Sequence, residues 1–246
     1  MNVISERNET ARLCALLSFS PLQRDVIKII AFLAMVADHV ATATGIGSPW
    51  LNLLGRCAFP LFALVCGCNL AGKTLRQSAL NRLWLMAVLA QPAFWLAFRD
   101  AGNQWWQLNI LFCFALVLQL CQLWQNPSAV KGFLSGTCVA FYVPLSTASY
   151  GWTGLVMVAM AVMVWQVKSV YQAAAFGLWL VAVVAVNSSS HGMAALSGGV
   201  LTLAVVYGVY ALVPASEQRL RVSRWFAEGY IIQLLLVALA ATSLQA

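Results

Sequence analysis

The sequence predicts an all-α integral membrane protein, a polytopic bundle of about nine transmembrane helices (eight to ten as the range) with a cytoplasmic N-terminus. Three observations predict it. Hydrophobic residues make up 62% of the 246 and charged residues 9%, against about 25% charged in soluble domains, so too few charges exist to cover a water-facing surface. The apolar residues fall in runs near the ~20 residues that cross a hydrocarbon core. The basic residues gather in alternate gaps between those runs, as the positive-inside bias of membrane proteins requires.

The elements follow in order. Residues 1–10 are polar and mixed in charge, and the run Leu13–Phe19 is too short, and lacks the small-residue site, for a cleavable signal peptide. Residues 1–20 therefore read as a cytoplasmic N-terminal segment, its second half an interfacial helix or a disordered stretch. Residues 21–246 read as a single transmembrane domain. The expected spans are 25–46, 50–70, 83–98, 107–124, 132–147, 151–167, 170–186, 194–213 and 229–245. The fifth, sixth and seventh are short, which leaves room for a re-entrant one. With the N-terminus inside, twelve of the 14 Lys and Arg residues fall on the cytoplasmic side, Arg99 falls outside, and Arg56 sits within the second span. The net charge of +7 is thus spent on topology, and nucleic acid is not an expected partner. No loop has room for a soluble domain, so chemistry belongs inside the bundle or at its mouths.

Ionisable groups in hydrocarbon cost ~2.5–3.5 kcal/mol each on insertion scales, which makes Asp38, His39 and Arg56 the first candidates for function. At 3.6 residues per turn, Asp25, Lys28, Phe32, Met35 and His39 share a sector of roughly 80°, a stripe rising from the cytoplasmic mouth to His39. Adjacent residues do not face each other on a helix, so Asp38 is expected to pair with Arg56 at similar depth, lowering the burial cost of both charges. A lone buried histidine commonly serves as a structural hydrogen-bonding group. With an Asp beside it, an Arg facing it and Lys28 on its stripe, His39 is read as catalytic. Asp38 and Arg56 either clamp two helices or join the chemistry. At the start of the third span, Asn81 and Arg82 follow Lys73 and Arg76. That cluster anchors the inner face or cradles a polyanion, without a Walker loop or G-x-G-x-x-G.

The cysteines, Cys14, Cys57, Cys66, Cys68, Cys113, Cys121 and Cys138, form no C-x-x-C and no zinc-spaced set with His, and read as packing residues. His191, the only other histidine, lies in a Ser-rich outer loop and reads as solvated, so no metal site is expected. Trp50, Trp105, Trp106, Trp152 and Trp225 lie near span ends, as an interfacial belt places them.

Three stretches carry a resemblance. The first is Gln23-Arg24-Asp25-x-x-Lys28, continuing to Met35-x-x-Asp38-His39. The second is Gly55-Arg56-x-Ala58-Phe59-Pro60-Leu61-Phe62-Ala63-Leu64-Val65 with Gly67 and Asn69-Leu70. The third is Asn81-Arg82-Leu83-Trp84 with Ala90-Gln91. Weaker stretches are Asn109-Ile110-Leu111-Phe112 and the run from Pro144 to Leu155. Together they make the chain resemble the TraX family, the conjugative pilin acetylation proteins, over nearly everything beyond residue 20. The resemblance implies an acetyltransferase of the bacterial inner membrane, multi-pass, acting on the N-terminal amine of pilin subunits and related to wider transmembrane acyltransferases with an essential early His. It implies His39 in that role, Asp38 and Arg56 as polar partners, and acetyl-CoA as co-substrate, its phosphates near Arg24, Lys28, Asn81 and Arg82. Transfer then proceeds directly, with His39 as general base, or through an acetyl-histidine. One departure stands out. Where the family pattern has an aromatic followed by His near the C-terminus, this chain reads Tyr230-Ile231-Ile232-Gln233. The rival readings are transfer to a sugar or lipid, a non-enzymatic pilin assembly factor, and a small transporter that uses the same charges as a proton relay.

Overall fold

The computed structural model describes residues 17–46, 48–188, 192–221 and 225–245, and every regular element among them is helical. All nine apolar runs are helical, one of them broken in two, which gives ten α-helices: α1 (Pro21–Thr44), α2 (Pro49–Gly55), α3 (Ala58–Leu70), α4 (Gln77–Phe98), α5 (Ile110–Gln125), α6 (Ala129–Leu145), α7 (Gly151–Gln166), α8 (Ser169–Asn187), α9 (Gly192–Leu212) and α10 (Phe226–Gln245). By length and composition, four segments suffice to cross a membrane: Pro21–Thr44, Trp50–Leu70, Ser169–Asn187 and Phe226–Ser243. Ile110–Gln125, Ala129–Leu145, Gly151–Gln166 and Leu196–Leu212 are apolar but shorter. The readings made for residues 1–16, His191 and Arg224 lie outside the described residues.

Local chemistry sets the boundaries. α1 begins four residues before the expected start because Ser20 and Gln23 form a reciprocal capping box with Pro21 in the first turn, which satisfies two backbone donors that the helix leaves open. It ends at Gly45, whose φ of 66° suits a left-handed cap. Asn109 and Ser128 cap α5 and α6 through their side chains. The second expected span is not one helix. Pro60 has no N–H to give the carbonyl of Arg56, four residues earlier, and its ring crowds that carbonyl. The helix therefore stops at Gly55 and restarts at Ala58, and Arg56 is left in the turn.

The exterior is apolar. Leu33, Phe133, Leu178, Val181 and Leu239 are all more than 60% exposed, a pattern that matches lipid contact rather than water. The five tryptophans expected in the interfacial belt are exposed as well. The interior holds polar groups instead: Asp25, Asn109, Asn187, Thr202 and Gln233 are buried. Asn109 shows how such a group is accommodated. Its amide donates to the Ala87 carbonyl at 2.8 Å and to Gln91 at 2.9 Å, while its oxygen accepts from Leu111 N at 3.0 Å.

Two large apolar clusters, with a small third around Leu70, Leu80 and Leu118, form the core. One joins α1, α3, α7 and α8 around Ile27, Leu61, Leu64, Met157 and Trp179. The other joins α4 and α10 around Ala90, Phe94 and Leu234. Met35 and Ile110 pack against both, so they mark the seam between them. Leu17 and Phe19, from the expected interfacial segment, are buried in the first cluster, and the Leu17 carbonyl accepts from the Trp165 indole at 3.3 Å.

Helix α3 approaches α7 closely at Gly67, where a Cβ would lie 2.4 Å from the Ala161 carbonyl oxygen. Gly67→Ala is expected to destabilise the protein by roughly 1–3 kcal/mol through overpacking, read as a lower Tm in detergent. Gly132→Ala, at a site with nothing within 4 Å, is expected to leave the Tm unchanged or raise it slightly.

Candidate active site

The stripe read on α1 is present. Lys28, Met35 and His39 line cavities along one side of the helix, and the Phe32 ring meets Phe226 of α10 edge-on at 5.8 Å. One cavity, of about 200 Å³, is lined by Met35, Asp38, His39, Thr42, Phe59, Phe98, Tyr150 and Tyr230 among others. A second, of about 350 Å³, runs from Lys28 and Asn69 along Val65, Leu83, Leu118 and Phe226. Met35, Phe62, Ile110, Phe114 and Tyr230 line both. The two cavities therefore abut along the seam between the core clusters, one lined by Lys28 and the other by His39.

His39 is gripped by α10. Its Nδ1 lies 3.2 Å from Oε1 and 2.8 Å from Nε2 of Gln233, a side chain only 6% exposed. The amide presents one of these atoms at a time. When Oε1 accepts from Nδ1–H, the other ring nitrogen, Nε2, carries a lone pair. The Phe98 ring stands edge-on to the imidazole at 5.1 Å and Tyr230 at 6.2 Å, closing off its sides with apolar surface. Asp38 is placed by a gap in the facing helix: a Cβ on Gly55 would fall 2.3 Å from Asp38 Cβ and 2.6 Å from Cγ. Only glycine lets α2 come this close.

Two expectations need correcting. Asp38 and Arg56 make no direct ion pair. The ion pairs among the described residues are Lys28–Asp25, Arg82–Glu228 and Arg99–Asp100. The break at Pro60 puts Arg56 in a turn rather than on a continuous helix, and its charge reaches Asp38 through space. Asn81 and Arg82 do not begin the third span either, since α4 starts a turn earlier at Gln77. Asn81 is exposed and accepts from Gln77 Nε2 at 2.7 Å. Arg82 ties α4 to Glu228 of α10. Neither lines a cavity.

The basic end is otherwise as the stripe suggests. Lys28 lies 2.6 Å from Asp25 and 5.3 Å above the Phe226 ring. Arg24 donates to Asn69 at 3.1 Å. Asp25, buried, also accepts from Leu220 N at 2.9 Å, so it is a strut between α1 and the segment before α10 rather than part of an open mouth. Among the described residues no group of His, Cys, Asp and Glu is placed to hold a metal ion.

Comparison with known proteins now bears on this site. A family model described as TraX protein matches residues 23–240. The chain belongs to the TraX family. It is 36% identical over 227 residues to a protein of Escherichia coli named Protein TraX, covering 92% of this chain and 90% of that one. It is 39% identical over 194 residues to a Protein TraX of Escherichia coli strain K12, covering 78% and 77%. No solved structure matches. The family match spans every cavity-lining residue named above.

Sequence reasoning missed three contributors. Gln233 appeared only as a departure from the TraX pattern, and a contact 194 residues away along the chain leaves no local signal. Gly55 and Tyr150 appeared only as motif letters. Gly55→Ala is expected to push the Asp38 carboxyl away from α2. In a transfer assay the rate should fall at least tenfold, while membrane insertion, followed by protease protection, stays intact. A wild-type rate would show that Asp38 need not be held there.

Proposed function

We propose that this TraX-family protein, whose family supports a role in conjugative pilin processing, is a membrane-embedded acetyltransferase. It moves an acetyl group from acetyl-CoA to the N-terminal amine of pilin subunits at the bacterial inner membrane, with all nine apolar segments crossing. The observation that carries the reading is the pair of abutting cavities, one lined by Lys28 and the other by the partly buried, hydrogen-bonded His39.

The residues suit the proposed co-substrate. Its phosphates call for cations: Lys28 lines the second cavity, Arg24 donates to Asn69, which lines it too, and Arg82 precedes the lining residue Leu83. Its long thin arm calls for an apolar passage, and the cavity beyond Lys28 is walled by Val65, Leu70, Leu83, Phe114 and Leu118. Its thioester calls for a polar chamber at the far end, where Asp38, His39 and Tyr150 meet. Asn81 drops out of the proposed phosphate site because it lines neither cavity and its amide oxygen is taken by Gln77.

In this reading the acceptor amine enters the chamber beside His39. An α-amine has a pKa of about 7.7–8.0, so part of it is neutral and nucleophilic at physiological pH. The amine nitrogen attacks the thioester carbonyl carbon, and His39 Nε2 takes the proton that the nitrogen loses. The C–S bond then breaks, and the departing thiolate takes that proton from the imidazolium, giving the amide and free CoA. Gln233 holds Nδ1–H through its oxygen during the first step, which keeps the lone pair on Nε2. Asp38, with Arg56 behind it, supplies negative charge that favours the transient imidazolium.

His39→Ala is expected to lower acetyl transfer by ~10²–10⁴-fold, the usual contribution of a general base, with the acetylated pilin N-terminus counted by mass spectrometry. An undiminished yield removes His39 from the mechanism. Gln233→Leu leaves Nδ1 buried without a partner, at a cost of about 1–3 kcal/mol, and should reduce the rate more than it changes KM for acetyl-CoA. Lys28→Ala should act the other way round, raising KM severalfold with kcat little changed; an unaltered KM would move the phosphates elsewhere.

A further inference from the structure

We propose that Tyr150 is a second catalytic residue, its phenol donating a hydrogen bond to the acyl oxygen while that oxygen carries negative charge during transfer. This rests on the acetyl-transfer reading above.

Tyr150 is the one residue other than glycine with a positive φ among the described residues, at 65°. Such a backbone costs a bulky residue about 1–3 kcal/mol, persists only where its surroundings over-determine it, and clusters at active sites. The surroundings here do over-determine it. Ser149 N and Gly151 N both donate to the Ser146 carbonyl, at 2.8 and 2.9 Å. Thr153 Oγ1 and Gly154 N both donate to the Tyr150 carbonyl, at 2.6 and 3.1 Å. The Ser149 hydroxyl donates to the Leu108 carbonyl. The Tyr150 ring lies nearly parallel to Phe59 of α3, with centroids 5.0 Å apart and planes 14° apart. Gly154 makes room, since a Cβ there would come within 2.9 Å of Tyr150 Cβ and 3.2 Å of the Phe59 ring.

A glycine or asparagine would make this turn without strain. What the tyrosine adds is a side chain that lines the His39 chamber alongside Asp38. Phenols ordinarily ionise near pH 10, so at neutral pH the group is a donor. In the transfer step the amine nitrogen bonds to the carbonyl carbon and the C=O π pair moves onto oxygen. Tyr150 O–H donates to that oxygen and keeps its proton. Collapse restores C=O and expels the thiolate, which leaves with the proton His39 had accepted. A donor already fixed in place pays no reorganisation during the reaction, and losing one such donor typically lowers kcat by ~10²–10³-fold.

The test uses the full-length protein in detergent or liposomes, acetyl-CoA and pilin, with wild type, His39→Ala and Tyr150→Phe assayed together. Tyr150→Phe keeps the stacked ring and removes only the hydroxyl. The expected result is a ~10²-fold lower kcat, with KM for acetyl-CoA and the Tm unchanged. Wild-type kcat in Tyr150→Phe, with His39→Ala inactive, overturns the role of Tyr150 and leaves the general base standing. A lowered Tm accompanied by a raised KM shows a structural role and overturns it too. No transfer by the wild type overturns both readings. Tyr150→3-fluorotyrosine, which keeps the ring and hydroxyl but changes its acidity, must alter kcat; an unaltered value counts against the proposal even if Tyr150→Phe fails to insert.

Discussion

The centre of the bundle depends on one missing hydrogen bond. Pro60 has no proton to offer the carbonyl of Arg56, and the second apolar run is interrupted there, ending at Gly55 and restarting at Ala58. The break does three things at once. It leaves Arg56 in the turn between α2 and α3. It brings Gly55, the last residue of α2, against Asp38 with no Cβ between them. It also starts α3 so that Phe59 faces Tyr150. Irregular backbone at membrane depth is tolerated where protein or a polar cavity takes up the freed groups, and here it borders the cavity that holds His39.

The fold was largely legible because membrane helices announce themselves by length and apolarity, and all nine runs are helical. What escaped was finer. The start of α1 was written plainly in Ser20-Pro21-x-Gln23, a capping signal lying outside the apolar window used to place the span. The break at Pro60 was also legible as a helix-interior proline, but the unbroken hydropathy of 50–70 concealed it. For the site, the α1 stripe followed from 3.6-residue geometry alone, and Lys28, Met35 and His39 do share a wall. The Asp38–Arg56 contact was inferred from depth, and depth does not fix direction. Once the helix breaks, similar height no longer means facing side chains.

The contacts to His39 show the limit from the other side. Gln233 reaches it from α10, and no pattern within either helix says which rotation α10 takes against α1. That rotation is set by packing, with α10 lying against α4 through Leu234 and Phe94 and tied at its start by Glu228 to Arg82. Gln233, which the sequence marked only as a departure from the resemblance, looks like a loss when read as sequence. In the folded chain it is the group hydrogen-bonded to Nδ1: its oxygen accepts from Nδ1–H, leaving the Nε2 lone pair open, or its NH2 donates to Nδ1, leaving the proton on Nε2.

The neck shared by the two cavities has a further consequence. Met35, Phe62, Ile110, Phe114 and Tyr230 line both the Lys28 cavity and the His39 cavity, and four of the five side chains are wholly hydrocarbon or thioether. Narrow apolar collars shed water and so bar ions. In an energised bilayer, a reaction centre reachable from both sides would otherwise short-circuit the proton gradient. In the proposed reading, this collar passes a slender organic arm and resists ions, so a donor on one face serves a substrate on the other without leaking current.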